Sequence, residues 1–239
     1  MGAVLAGIVL SFAGCGSFDA QTRNTTGVQL YQQAKYQEAI QEFQEATYSD
    51  PQDSDGYYNL AATYHRIGKL QGRKTDLDQA ETYYNLCLDR NDNHADCYRG
   101  LAVLLVEEGR NDDAFRLLEG WTQRQPRSAD AKVELARLND EFGNRQVAKD
   151  RLVEALDVDP SNSRALTALG KIREDAGDRS QALANYQRSL DQNSQQPQVV
   201  ARVAALQSAT GTTAAPAGSI LSGGAETRMV DRSTGVRRY

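Results

Sequence analysis

Residues 129–162 read ADAKVELARLNDEFGNRQVAKDRLVEALDVDPSN, and this stretch decides the fold. Its first half carries Val133, Leu135-Ala136, Leu138 and Phe142, apolar residues at helical spacing. Gly143-Asn144 interrupts them, because glycine tolerates the left-handed backbone that ends a helix. A second apolar stripe follows at Val147-Ala148, Leu152 and Ala155-Leu156, and Asp159-Pro160 closes it, since proline disfavours helix in the residue before it. The stretch therefore reads as two antiparallel helices. Small residues at Ala136 and Ala148 allow the pair to approach closely while larger neighbours fill the remaining space.

The same pattern recurs in one register on both sides. Gly109, Gly143 and Gly177 are spaced by 34, as are Ala114, Ala148 and Ala182. Leu101, Leu135 and Leu169 keep that step and Val203 continues it; Leu118, Leu152 and Tyr186 follow, as do Pro126 and Pro160. Several independent sets in one register define an internal repeat. With its Leu-Gly/Ala, Tyr, Ala, aromatic, Ala and Pro at fixed offsets, the pattern resembles the tetratricopeptide repeat, over about residues 20–208. Unit one, 20–53, contributes Gly27, Tyr36, Ala39, Phe43, Ala46 and Pro51. Unit two, 54–94, contributes Leu60-Ala61, Tyr64, Gly68, Ala80 and Tyr84. Units three to five span 95–128, 129–162 and 163–196, with Trp121 in a slot usually held by a small residue. The resemblance implies an all-α helical-repeat solenoid. The step from Ala39 to Ala80 is 41, so about seven residues are inserted in unit two, and Gly72-Arg73-Lys74-Thr75 within them is expected to be a solvated loop. Residues 197–208 repeat half a unit and read as a capping helix over the last apolar face.

The two ends differ from the repeats. Ala3 to Gly14 form an apolar run too short to span a bilayer, ending in Phe12-Ala13-Gly14-Cys15-Gly16-Ser17. That ending resembles the bacterial lipobox. The resemblance implies a signal peptide over 1–14, acylation of Cys15, and a place in the cell envelope on a membrane, with Gly16 after the cysteine pointing to the outer one. No Lys or Arg precedes the apolar run, a departure from the usual signal. Residues 209–239, rich in Gly, Ser, Thr and Ala, are expected to be a disordered tail.

The net charge is -5, and the tail balances at +2, which leaves the body at -7. Such a body lacks the positive field that nucleic acid binding requires, so no nucleic-acid partner is expected. The chemistry-bearing residues give no catalytic constellation. His65 and His94 are the two histidines, and His94-Ala95-Asp96-Cys97 has no second ligand cluster for a structural metal. No phosphate-binding loop or nucleophile elbow is present in order. The expectation is a protein without catalytic residues, metal, cofactor or small-molecule substrate.

What remains is a binding surface. In the family it resembles, the first helices of the units line an inner groove. Positions rotated off the core stripe there are Val28 and Tyr31, Tyr58, Ala62 and His65, Arg99, Val103 and Val106, Val133 and Arg137, and Lys171. A groove with such Tyr and Val suits an extended or helical peptide. The chaperone-tail clamp of the family is not expected, because Asp96 and Gly100 stand where its basic pair would be. Cys87 and Cys97 lie at similar distances from the turn between them, so they form either a disulfide, in an oxidising envelope, or two small buried thiols. The sequence thus points to a membrane-anchored scaffold for a protein or peptide partner; a cytoplasmic adaptor without the anchor is the alternative.

Overall fold

In the computed structural model, residues 13–209 are described, as α-helices joined by short turns. The expected leader before residue 13 and the tail after 209 lie outside the described residues, as do the side chains of residues 13–17, Cys15 among them. Eleven helices are described, α1 (Ala13–Gln32), α2 (Tyr36–Ser49), α3 (Ser54–Gln71), α4 (Lys74–Arg90), α5 (Ala95–Glu107), α6 (Asn111–Arg124), α7 (Ala129–Glu141), α8 (Arg145–Val158), α9 (Ser163–Asp175), α10 (Arg179–Gln192) and α11 (Pro197–Ala209). The fold is all-α, built of antiparallel pairs, with no strand among the described residues.

Turn chemistry sets the boundaries. Ser128 accepts from the Ala131 N–H at 3.2 Å at the start of α7, and Asn162 accepts from the Ala165 N–H at 2.9 Å at the start of α9. These oxygens satisfy amides that have no partner within their helix. Between paired helices, Gly109, Gly143 and Gly177 take φ of 75°, 79° and 83°, the left-handed conformation that costs glycine least. In the first pair Ala34 holds that place, at φ 59°.

The insertion in unit two is not a solvated loop, which corrects the sequence expectation. Helix α3 has 18 residues and α4 has 17, against 13 in α5, α7 and α9 and 14 in α6, α8 and α10. The added residues lengthen both helices, and only Gly72 and Arg73 remain between them. Gly72 reverses the chain at φ 64°, so Lys74 and Thr75 open α4. Lengthening a helix keeps every added amide bonded, whereas a loop of that size would leave them to water.

The chain divides into two compact units, 13–97 and 98–209 within the described residues. In the first, α1 packs on α2, α2 on α3 and α3 on α4, with α1 also touching α3. Its core gathers Val28, Tyr31, Ala39, Ile40, Phe43, Leu60 and Ile67. Gly27 belongs here for want of space, because a Cβ on it would lie 2.4 Å from the Phe43 ring. In the second, α7 packs on α8, α8 on α9 and α9 on α10, around Val133, Ala136, Ala148, Leu152, Ala155, Ala165 and Leu169. Helix α11 places Val199 and Leu206 against Ala182 and Tyr186 of α10. Val147, expected on the α8 stripe, stands 45% exposed instead.

Candidate partner-binding surface

In the first unit, residues expected to face a groove lie in the interior. Val28, Tyr31, Tyr58, Ala62 and His65 are all buried, which corrects the expectation that they stand apart from the core. For the three on α3 the physical reason is that this helix is covered by α1, α2 and α4 together, so nearly its whole circumference is packed, while Val28 and Tyr31 on α1 are held between α2 and α3. Tyr31 meets Tyr36 edge-on at 5.2 Å between ring centroids. Tyr58 stacks on His94 at 5.5 Å and tilts against Tyr84 at 6.3 Å, while His65 stands edge-on to Tyr84. These rings pack in an aromatic seam.

The seam ends at a buried polar cluster. His94 Nε2 lies 2.9 Å from Asp55 Oδ1, and its Nδ1 accepts the Cys97 N–H at 3.2 Å. A carboxylate at Nε2 fixes the proton there and leaves Nδ1 as the acceptor, so His94 caps the start of α5. Cys87 and Cys97 are joined as a disulfide with Cα atoms 6.6 Å apart, linking α4 to α5. A ring nitrogen of His94 and both sulfurs lie within 4.8 Å of one another. A soft cation would require thiolates, which the joined sulfurs are not.

The second unit carries a different constellation. Arg99, Val103 and Val106 follow one another at helical spacing on α5 and are half-buried. On α7, Arg137 is half-buried and Val133 is buried, the latter in the core cluster with Leu152 and against expectation. Lys171 on α9 is exposed and reaches Asp140 Oδ2 at 3.5 Å. Thus Arg99, Val103, Val106, Arg137 and Lys171 keep solvent access, on three first helices of this unit.

A buried carboxylate organises the charges beneath them. Glu134 has 0% exposure and accepts from Arg99 Nε at 2.8 Å and Arg137 Nε at 3.2 Å. Arg164 also donates to Glu134 and bonds Asp130 Oδ1 at 3.1 Å. Arg137 reaches Glu141 Oε2 at 3.1 Å. Burial lowers the guanidinium pKa of Arg137, while Glu141 opposes that shift. The sequence reading missed this cluster. Its only signal was a carboxylate between Val133 and Leu135 with arginines at 99 and 164, about one repeat to either side. Trp121, noted in a small-residue slot, is fully buried and stacks on Tyr98 at 4.1 Å, with Arg124 donating to the Tyr98 hydroxyl at 2.9 Å.

Comparisons with known proteins agree on the repeat. A profile described as TPR repeat matches residues 27–68, and profiles described as tetratricopeptide repeat match 55–94 and 105–172. A BBSome complex member BBS4 homolog from Drosophila melanogaster is 27% identical over 172 residues, covering 70% of this chain and 35% of that protein. The chain therefore spans about a third of that relative's length. Among solved structures, the thermophilic TPR protein TTC0263 of Thermus thermophilus is 24% identical with a TM-score of 0.59, covering 78% of this chain and 98% of that one. PilW, a type IV pilus biogenesis factor, is 15% identical with a TM-score of 0.55, covering 81% and 86%. At these identities the structures share the fold.

Proposed function

Since the chain belongs to the tetratricopeptide repeat family, we propose that it is a non-catalytic scaffold, anchored in the cell envelope by a lipid on Cys15, that assists an envelope assembly by binding a protein or peptide partner. One observation carries the binding part: in the second unit Arg99, Val103, Val106, Arg137 and Lys171 remain solvent-accessible on first helices whose core positions are filled by other residues. Two valines among ion-paired side chains, Arg99 and Arg137 on Glu134 and Lys171 on Asp140, suit a peptide with an apolar anchor and polar flanks of mixed charge. Apolar contact supplies the affinity, and charge complementarity sets register and partner choice. Glu134 contributes by holding Arg99 and Arg137 in fixed orientations, so less side-chain entropy is lost when a partner binds.

The anchoring part rests on the sequence around Cys15. The apolar run before it and the small residues Ala13 and Gly14 beside it are the features that support it.

Affinity capture of the tagged full-length protein from its host, with crosslinking and mass spectrometry, tests both parts. Val103→Glu with Val106→Glu should reduce partner recovery about tenfold, the loss of one good contact, while circular dichroism keeps its helical signal. Unchanged recovery by that variant would remove this surface as the binding site. Fatty-acid labelling that is the same in the natural chain and in Cys15→Ala would remove the anchor.

A further inference from the structure

Two large exposed side chains of the first unit lie at one end of it. Phe18, in the first turns of α1, is 74% exposed, and Tyr48, in the last turn of α2, is 85% exposed. Their neighbours tie the two helix ends together, since the Ser49 hydroxyl donates to Asp19 Oδ2 at 2.7 Å. Arg23 Nε donates to the same oxygen at 2.9 Å, so the Asp19 carboxylate is ion-paired where the two helix ends meet.

This end is also where Cys15 lies. Helix α1 runs without interruption through Cys15 and Phe18 into the first repeat. Three residues of helix advance about 4.5 Å. An amphipathic surface at a bilayer typically buries its apolar side chains about 5–10 Å into the headgroup and acyl boundary. A chain held by a lipid on Cys15 therefore brings Phe18 within that depth, with no linker to carry the repeats away.

We propose that Phe18 and Tyr48 form a membrane-contacting edge that seats the first unit on the bilayer interface; this rests on the lipid-anchor reading above. Aromatic side chains suit that position, because a ring with one apolar body and, in tyrosine, one polar tip matches the boundary between acyl chains and headgroups. The opposite end of the unit offers a built-in contrast. Leu70 is 57% exposed but lies near the end of α3, sixteen residues or about 24 Å along a helix whose capping residue, Asp53, accepts from Asn24 of α1. It is apolar, exposed and out of reach of the bilayer.

The test places a tryptophan probe at each position in the full-length, host-processed protein: Phe18→Trp, Tyr48→Trp and Leu70→Trp. Each is reconstituted in phosphatidylcholine vesicles with brominated acyl chains, and the signal of Trp121, the sole natural tryptophan, is subtracted. Mass spectrometry first reads whether Cys15 carries acyl chains. With Cys15 acylated, the inference expects emission from the probes at 18 and 48 to fall about twofold or more and to shift to the blue, as burial near the acyl boundary requires, with the probe at 70 unchanged. Acylated protein whose probes at 18 and 48 behave like the one at 70 would overturn the inference and leave the anchor standing. Unmodified Cys15 would overturn the anchor, and the edge with it.

Discussion

The two units are built from the same paired-helix repeat, 34 residues long in the second and stretched to 41 within the first, and hold it together with different chemistry. The first relies on rings: Tyr31 on Tyr36, Tyr58 on His94, Tyr64 stacked on Tyr83 at 5.5 Å, and a disulfide between α4 and α5. The second relies on alanine and branched aliphatic residues, with Glu134 buried beneath its half-buried arginines and with the Tyr98–Trp121 and Phe115–Phe142 ring pairs. The repeat thus prescribes a few close-contact positions, such as Ala39, Ala114, Ala148 and Ala182, all fully buried. Between them, any set of side chains that fills the volume and satisfies its polar atoms is acceptable. That freedom separates fold from function here, because the residues left over as surface differ from one unit to the other.

The largest break in the comparison should come from Glu134. Glu134→Ala leaves Arg99, Arg137 and Arg164 facing one another without their shared acceptor. Severing a buried ion pair typically costs 3–5 kcal/mol. The arginine side chains here are 22–36% exposed and recover some hydration, so the expected loss is about 3 kcal/mol. Denaturant unfolding followed by Trp121 fluorescence reads the unit directly, since Trp121 packs within it. Glu134→Gln, which keeps an acceptor of the same shape, should lose about half as much. Equal losses for the two variants would show that charge is what matters, and no loss for either would show the cluster to be incidental.

A slightly smaller effect is expected from the staple in the first unit. The cysteines are separated by 10 residues, and a loop of that length constrains the unfolded chain by about 2.5–3 kcal/mol in the chain-entropy account. Cys87→Ala with Cys97→Ala should lower stability by about that amount in oxidised protein, and reduction of the natural chain should reproduce the loss. Free-thiol counting before and after unfolding reports whether the bond is present in the purified protein. If the double variant matches the oxidised natural chain, the aromatic seam alone holds the first unit.

The periodic features were legible in the sequence because they follow from backbone needs. Glycine at 109, 143 and 177 marks a left-handed residue, and Pro126 and Pro160 mark chain reversals, whatever surrounds them. The surface was harder to read. Tyr58 and Ala62 read as lying off the core stripe, yet Tyr58 packs on Tyr84 of α4 and α3 is covered by α1 and α2 as well, and a helix wheel drawn for one partner does not show the others. Glu134 escaped notice for the opposite reason: charge ordinarily implies exposure, and only arginines brought from other helices, Arg99 and Arg164, make its burial acceptable. The insertion was correctly sized by the step from Ala39 to Ala80, but a count of residues cannot distinguish a longer loop from longer helices.

The finest difference between the units is a single backbone position. Ala34 takes φ 59° where Gly143 takes φ 79°, each at the reversal between paired helices. For an L-residue with a Cβ that conformation costs about 1–2 kcal/mol, and glycine avoids it at an entropic cost of about 0.5–1 kcal/mol in the unfolded chain. Ala34→Gly should therefore stabilise the first unit by about 0.5–1 kcal/mol, and Gly143→Ala should destabilise the second by a similar amount. The space around both keeps the reading clean: Ala34 is exposed, and a Cβ on Gly143 would meet nothing within 4 Å. Neither change makes or removes a packing contact, so denaturation midpoints report backbone strain alone. Opposite signs would show that the first unit tolerates a strained turn that the second avoids; a loss on Ala34→Gly would mean that the tyrosine pair flanking the turn, Tyr31 and Tyr36, holds the turn in place and offsets the strain.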